Sequence, residues 1–263
     1  MAFNINFNNF KILDSYAFVA HSAIHFPWQT PTDSIHRQPG QRYSDVKGPR
    51  SKLGPHTGDV GAAVREMIEA LDRSVGRIVD SLKAQGLERR TLVFLTSDNG
   101  GILSYAGGHT HVSSNGPLRA AKGSLYEGGH RVPAIAWWPG RIQPGATTDA
   151  TALSMDLLPT FLELAGIELP APNGPRQLDG ISLVPLLFSG KALAERNVFW
   201  RQGVKAVRRG PWKLFVPQDR PPELYNLSTD VGEKLDLASA EASRVAAMQT
   251  ALRDWEKSID SPP

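Results

Sequence analysis

Cysteine is absent from all 263 residues. That excludes disulfides, thiolate metal sites and a cysteine nucleophile within this chain, and it leaves the redox compartment open. An excess of one charge is also lacking. The 29 Lys and Arg are interspersed with 26 Asp and Glu, for a net charge of +3 and no long basic run. A nucleic-acid footprint is therefore not expected, while small anionic ligands stay compatible. No apolar run is long enough to span a bilayer. Residues 1–10 alternate apolar side chains with asparagine, without the basic start and continuous apolar centre of a secretory signal.

What is present is ordinary globular material. A hydrophobic share of 41% and a charged share of 21% fit one large domain or two unequal ones with a substantial core. Residues 16–20 read as a short buried strand, followed by a long loop over 21–55 rich in Pro, Gly and His. Between 59 and 85, Val60, Val64, Met67, Ile68, Leu71, Val75, Ile78, Val79 and Leu82 recur at steps of three and four. This predicts an amphipathic helix closed by Gly86.

Residues 91–96 form a continuous apolar, β-rich run, the pattern of a strand covered on both faces. Residues 132–138, closed by Pro139-Gly140, read as a second buried strand, and 155–165 as a helix ended by Gly166. The fold class expected is a layered α/β sheet with helices on both faces. After a Pro/Gly-rich stretch over 170–185, short strands at 198–201, 204–208, 212–216 and 223–226 precede a helix over 238–257. That predicts a small antiparallel sheet carrying one helix. The organisation expected is a main α/β part over 1–190 and a small α+β subdomain over 191–263.

Ligands of open α/β sheets bind outside the carboxyl ends of the strands. Asp98 and Asn99 stand at such an end, followed by Gly100 and Gly101. A carboxylate beside an amide oxygen suits a hard cation such as calcium. An Asn-Gly turn between strands accounts for the same four residues. Lys122, flanked by Gly123 and by Ala120-Ala121, is a compact cation able to hold an oxyanion in a crowded pocket, or a solvated surface lysine. His25, in Ala23-Ile24-His25-Phe26-Pro27-Trp28, is an anion donor or a structural histidine.

Taken together and in order, these segments resemble the sulfatase family of the alkaline phosphatase superfamily, from about Tyr16 to the C-terminus. The resemblance is carried by His25-Phe26-Pro27, Leu71-Asp72-Arg73-Ser74-Val75-Gly76, Thr96-Ser97-Asp98-Asn99-Gly100-Gly101, and Gly116-Pro117-Leu118-Arg119 through Lys122-Gly123 to Tyr126-Glu127-Gly128-Gly129. It continues through Met155-Asp156-Leu157-Leu158-Pro159-Thr160, Trp212-Lys213-Leu214 and Glu223-Leu224-Tyr225-Asn226-Leu227. It implies an alkaline-phosphatase-like fold and hydrolysis of an aryl or carbohydrate sulfate ester. Asp98 and Asn99 become ligands of an active-site calcium. His25 and Lys122 contact the sulfate, with His25 also able to protonate the leaving oxygen. Negative charge developing on the sulfuryl and leaving-group oxygens is stabilised by such cationic groups. The compartment implied is periplasmic, secreted or lysosomal.

Sulfatases of this type carry a Cys/Ser-x-Pro-x-Arg signature whose first residue becomes formylglycine, the nucleophile. The 263 residues contain none. The nearest look-alike, Asn115-Gly116-Pro117-Leu118-Arg119, has asparagine in the nucleophile slot. The family's paired N-terminal aspartates are absent too, Asp14 being the sole acidic residue before His25. Calcium takes about six to eight oxygens, of which Asp98 and Asn99 supply roughly two or three. The expectation is the C-terminal portion of a sulfatase, with an incomplete sheet and an incomplete calcium site and inactive by itself, the missing N-terminal half being explained by a fragmentary gene model, a split gene whose other product is the partner, or a degenerate copy. A phosphate or phosphonate ester hydrolase of the same superfamily and a non-catalytic anion-binding protein are the alternatives.

Overall fold

The long periodic stretch forms helix α1, Val60–Ala84. It ends as its glycine dictates. Gly86 takes φ +64°, and the amides of Gly86 and Leu87 donate to the carbonyls of Lys83 and Leu82 at 3.0 and 2.9 Å, satisfying orphan groups of the last turn. The computed structural model describes residues 15–25, 28, 30, 60–105, 109, 110, 113–171, 174 and 177–260. Residues 1–14, most of the expected 21–55 loop (Phe26 and Pro27 included) and Asp59 lie outside the described residues. Trp28 and Ala23 pack on Ala63, Val64 and Met67 of α1, so the helix carries the segment around His25.

Strand β1, Val93–Thr96, pairs antiparallel with β4, Ala134–Trp137, Val93 facing Trp137 and Thr96 facing Ala134. Between them lie a two-residue pairing of β2, Ser104–Tyr105, with β3, His109–Thr110, and the short helix α2, Glu127–His130. Helix α3, Leu157–Leu164, follows a 3₁₀ turn at Ser154–Asp156 and closes at Gly166, φ +68°. Helix α4, Val184–Ser189, leads into a four-stranded meander of β5, Asn197–Gln202, β6, Val204–Arg209, β7, Trp212–Val216, and β8, Glu223–Asn226. Helix α5, Ala242–Asp260, covers one face, Met248 and Leu252 packing on Val207, Leu214 and Leu224.

Two sequence expectations need correction. Residues 16–20 form no strand and are mostly exposed, Tyr16 at 68% and Phe18 at 79%. Extended backbone becomes a strand only by bonding to a neighbour, and no described strand lies alongside it. The runs at 91–96 and 132–138 are strands, but not ones covered on both faces. Among the described residues β1 and β4 pair only with each other, and Ile135 is 60% exposed. An apolar run states what a strand is able to bury, not what arrives to cover it.

The other face of the meander meets the segment before and within α2. Leu125 and Tyr126 pack on Ala206, Phe215, Tyr225 and Leu227, and the ring of Tyr126 stacks on Phe215 at 4.4 Å between centroids. At the centre of this contact lies a fully buried ion cluster. Lys213 Nζ donates to Glu127 Oε1 at 2.9 Å and lies 2.9 Å from Glu233 Oε1, all three side chains being inaccessible. Glu233 Oε2 accepts the Glu127 amide at 2.7 Å. His130 Nε2 is 3.1 Å from Lys213 Nζ and 3.2 Å from the Leu125 carbonyl, its ring stacked on Trp200. Arg208 and Arg131 each lie 3.5 Å from Glu127 Oε2.

Charge in this cluster follows from burial and neighbours. Burial is the largest single influence on the Glu127 carboxyl and pushes it up, but Lys213, His130 and Arg208 together hold the group below the ordinary range. Burial dominates at Glu233, whose carboxyl is raised, the like charge of Glu127 adding to the effect. Burial, then Lys213, lowers His130 to about 4.

A histidine depressed in the folded state binds its proton more readily when unfolded, so between pH 6.5 and 4 acidification favours unfolding, by about 3 kcal/mol in all. Glu127, lowered, adds to this loss only below its ordinary range, while the raised Glu233 acts in the opposite sense. The His130→Gln variant should therefore show a flatter stability profile than the wild type from pH 6.5 to 4. Urea unfolding at a series of pH values checks this, and parallel profiles for the two proteins would refute it.

Candidate functional site

The candidate residues stand on three segments. Asp98 and Asn99 follow β1 directly, Lys122 lies in the loop before α2, and His25 lies in the turn carried on α1. Asp98, Lys122 and His25 are exposed and Asn99 is half-buried. The His25 amide donates to the Ser22 carbonyl at 2.8 Å, closing its turn.

Backbone hydrogen bonds bring the strand end and the lysine loop together. The Lys122 amide donates to the Gly101 carbonyl at 3.1 Å, and the Gly100 amide to the Gly129 carbonyl at 2.9 Å. Asn115 clasps the same point. Its Oδ1 accepts the Gly101 amide at 2.8 Å, while its Nδ2 donates to Gly101 and Ala120 carbonyls at 3.1 and 2.9 Å. The residue in the nucleophile slot of the look-alike motif is thus a clamp that sets the spacing between Gly101 and the lysine loop. Behind the loop, the Gly128 amide donates to the Arg119 carbonyl at 2.8 Å.

This crossing needs glycine. A Cβ at Gly100 would overlap the Gly128 carbonyl oxygen, one at Gly128 the carbonyls of Ala120 and Arg119, and one at Gly129 the Ser124 carbonyl. Backbone approaches this close leave no room for any side chain. The glycines after Asp98-Asn99 therefore do more than permit a turn.

The oxygen donors suit a hard cation in kind. Asn99 Nδ2 donates to the Gly100 carbonyl at 3.0 Å, so its Oδ1 is the atom that would accept a cation, next in sequence to the exposed Asp98. They do not suffice in number, since a calcium shell takes about six to eight oxygens. Among the described residues no group of three or more His, Cys, Asp or Glu gathers at one point.

The residues that hold this region in place were not singled out by chemistry in the sequence. Glu127, Lys213 and Glu233 lie far apart along the chain. Lysine in a short strand reads as solvent-facing, and only its place between Trp212 and Leu214 hinted at burial. Arg119, next to the lysine loop, was read only as part of a motif. Its Nη1 donates to Tyr225 OH and to the Glu233 carbonyl, each at 2.9 Å, and its guanidinium lies 3.8 Å above the Tyr126 ring.

Replacing Gly100 by alanine forces the β1 end away from α2. We expect a destabilisation of about 3 kcal/mol, at the upper end for overpacking, read as a lowered thermal midpoint. An unchanged midpoint would show that the crossing yields without cost.

Known proteins are similar to this chain. The family model described as Sulfatase matches residues 15–167. A second, described as N-sulphoglucosamine sulphohydrolase, C-terminal, matches residues 121–254. The chain is 42% identical over 174 residues to N-acetylgalactosamine-6-sulfatase of Canis lupus familiaris, covering 65% of this chain and 31% of that one. It is 37% identical over 215 residues to arylsulfatase A of Homo sapiens, covering 71% and 41%. Among solved structures, Ps i-CgsB in complex with k-i-k-neocarrahexaose matches with a TM-score of 0.70 at 28% identity, over 89% of this chain and 48% of that one. The PsFucS1 sulfatase from Pseudoalteromonas sp. matches with a TM-score of 0.60 at 25% identity, over 81% and 46%. The chain thus spans less than half the length of each of these relatives. With a β1 end knotted to the lysine loop, and with the sulfatase model matching more than half of the 263 residues, the chain belongs to the sulfatase family of sulfuric ester hydrolases, with its alkaline-phosphatase-like fold.

Proposed function

We propose that this chain supplies the metal-and-sulfate half of an active site that hydrolyses organic sulfate esters, with a sulfated carbohydrate as the substrate class. The supporting observation is the crossing of the β1 end with the lysine loop, held by the Lys122–Gly101 and Gly100–Gly129 backbone bonds. It ties an acidic, oxygen-donating turn to a glycine-flanked lysine. The relatives' names, among them N-acetylgalactosamine-6-sulfatase, and the neocarrahexaose complex support the carbohydrate class.

In this reading the Lys122 ammonium holds a sulfuryl oxygen. His25 faces the bridging oxygen and returns a proton to it as the ester bond breaks. Asp98 and Asn99 hold a divalent cation, calcium, whose remaining ligands lie beyond the described residues. When bound, that ion adds positive charge where the sulfuryl oxygens gather negative charge. The nucleophile comes from a separate sulfatase segment bearing Cys/Ser-x-Pro-x-Arg, because the 263 residues contain none. Residues 191–263 serve as the subdomain that backs the site. The compartment proposed is periplasmic, secreted or lysosomal.

The 263-residue chain alone should not turn over a chromogenic aryl sulfate, since loss of a central nucleophile costs on the order of a millionfold. Co-expression with a nucleophile-bearing sulfatase segment, in calcium, should produce turnover. Lys122→Ala should then lower kcat/KM by about a thousandfold, as for loss of one oxyanion donor. Turnover by the chain alone, or a complemented activity indifferent to Lys122→Ala, would overturn the assignment. Inactivity after complementation would favour a non-catalytic anion-binding protein.

A further inference from the structure

We infer that Lys213, on β7 and far along the chain from the candidate site, is the positioning residue that sets the lysine loop and the β1 end in register. The inference rests on the proposed role of Lys122 only for its functional meaning. The mechanical link stands by itself. Lys213 Nζ binds Glu127 Oε1 at 2.9 Å. Glu127 begins α2, whose next two residues make the bonds that matter: the Gly128 amide to the Arg119 carbonyl at 2.8 Å, and the Gly129 carbonyl to the Gly100 amide at 2.9 Å. A displacement of Glu127 is thus passed through backbone to both Asp98-Asn99-Gly100 and Arg119–Lys122.

Helix α2 has only four residues and no side-chain N-cap, so it has little stability of its own. It is held from outside. Glu233 supplies the second arm, accepting the Glu127 amide at 2.7 Å and facing Lys213 Nζ at 2.9 Å. Glu233 keeps a left-handed backbone, φ +52°, a conformation that persists in a non-glycine residue only where its surroundings over-determine it. Ala120, two residues before Lys122, is likewise left-handed at φ +63°, its carbonyl held by Asn115. Strained backbone flanks the network at both ends, and among the described residues Lys213 is the one cation that reaches both carboxylates from a position with no exposure.

A role confined to general stability predicts uniform loosening, whereas positioning predicts loosening confined to the loop. Two measurements on the full chain separate them: hydrogen exchange resolved by segment, and titration with inorganic sulfate. In Lys213→Met the amides of residues 119–130 and 98–101 should lose protection, while the α5 and β5–β8 amides that do not touch position 213 keep theirs. Sulfate affinity should fall about tenfold or more, as for one displaced charge-assisted contact.

If Lys213→Met does not fold, the triple variant Glu127→Gln/Lys213→Met/Glu233→Gln removes the ammonium and both carboxylates that share it, leaves none of the three ions alone in the core and restores folding. Its loop should still exchange freely. Retained loop protection in either folded variant overturns the inference. Absence of sulfate binding by the wild type would instead count against the assignment of Lys122, and the exchange data would judge Lys213 separately.

Discussion

One ammonium group shared by two carboxylates, with all three side chains shut away from the solvent surface, is the constraint on which the rest depends. Taking each ion out of water costs several kcal/mol, and only close, well-directed partners offset that cost. Here Lys213 faces Glu127 and Glu233, the Glu127 amide faces Glu233, and Arg208 approaches Glu127. The three parts of the chain that contribute these residues must therefore dock together. Without the α2 segment Lys213 would lose one of its two carboxylates, and without the meander Glu127 would lose its ammonium. The apolar packing of Leu125 and Tyr126 on Phe215, Tyr225 and Leu227 supplies attraction, whereas the ions supply register.

The same logic runs outward to the candidate site. Asn115 joins the lysine loop to Gly101 through Ala120, while backbone bonds of the α2 glycines hold Arg119 and Gly100. Lys122 and Asp98 have exposed side chains on a backbone that has almost no freedom. Under the proposed function, that division would keep the candidate groups solvated until an anionic ester arrives while their origins are fixed in advance.

Local pattern revealed much of this fold. Helix α1, its glycine cap, helix α3, the four strands of the meander and α5 all lie near where periodicity and turn residues place them, since each is decided within a few neighbours in sequence. The isolated segment at 16–20 and the exposed sides of β1 and β4 were not legible, because burial of a strand depends on what lies beside it. The ion cluster was hidden for a related reason. Lys213 is separated from Glu127 by 86 positions, and no spacing rule connects them. Asp98, Asn99 and Lys122 were visible as motifs, yet the clamp role of Asn115 and the steric need for Gly128 and Gly129 emerge only from the crossing itself.

The meander joins each strand to its successor in sequence, so its pairing is local and requires no distant segment. The lysine loop has no such independence, as it waits for Lys213 and Glu233. On the ribosome, residues 98–130 emerge long before those two anchors. The candidate turn thus spends much of translation without its final geometry, and it acquires its shape only once Lys213 and Glu233 have been made. Chain termination shortly before Glu233 would leave every candidate ligand residue in place and none of them held.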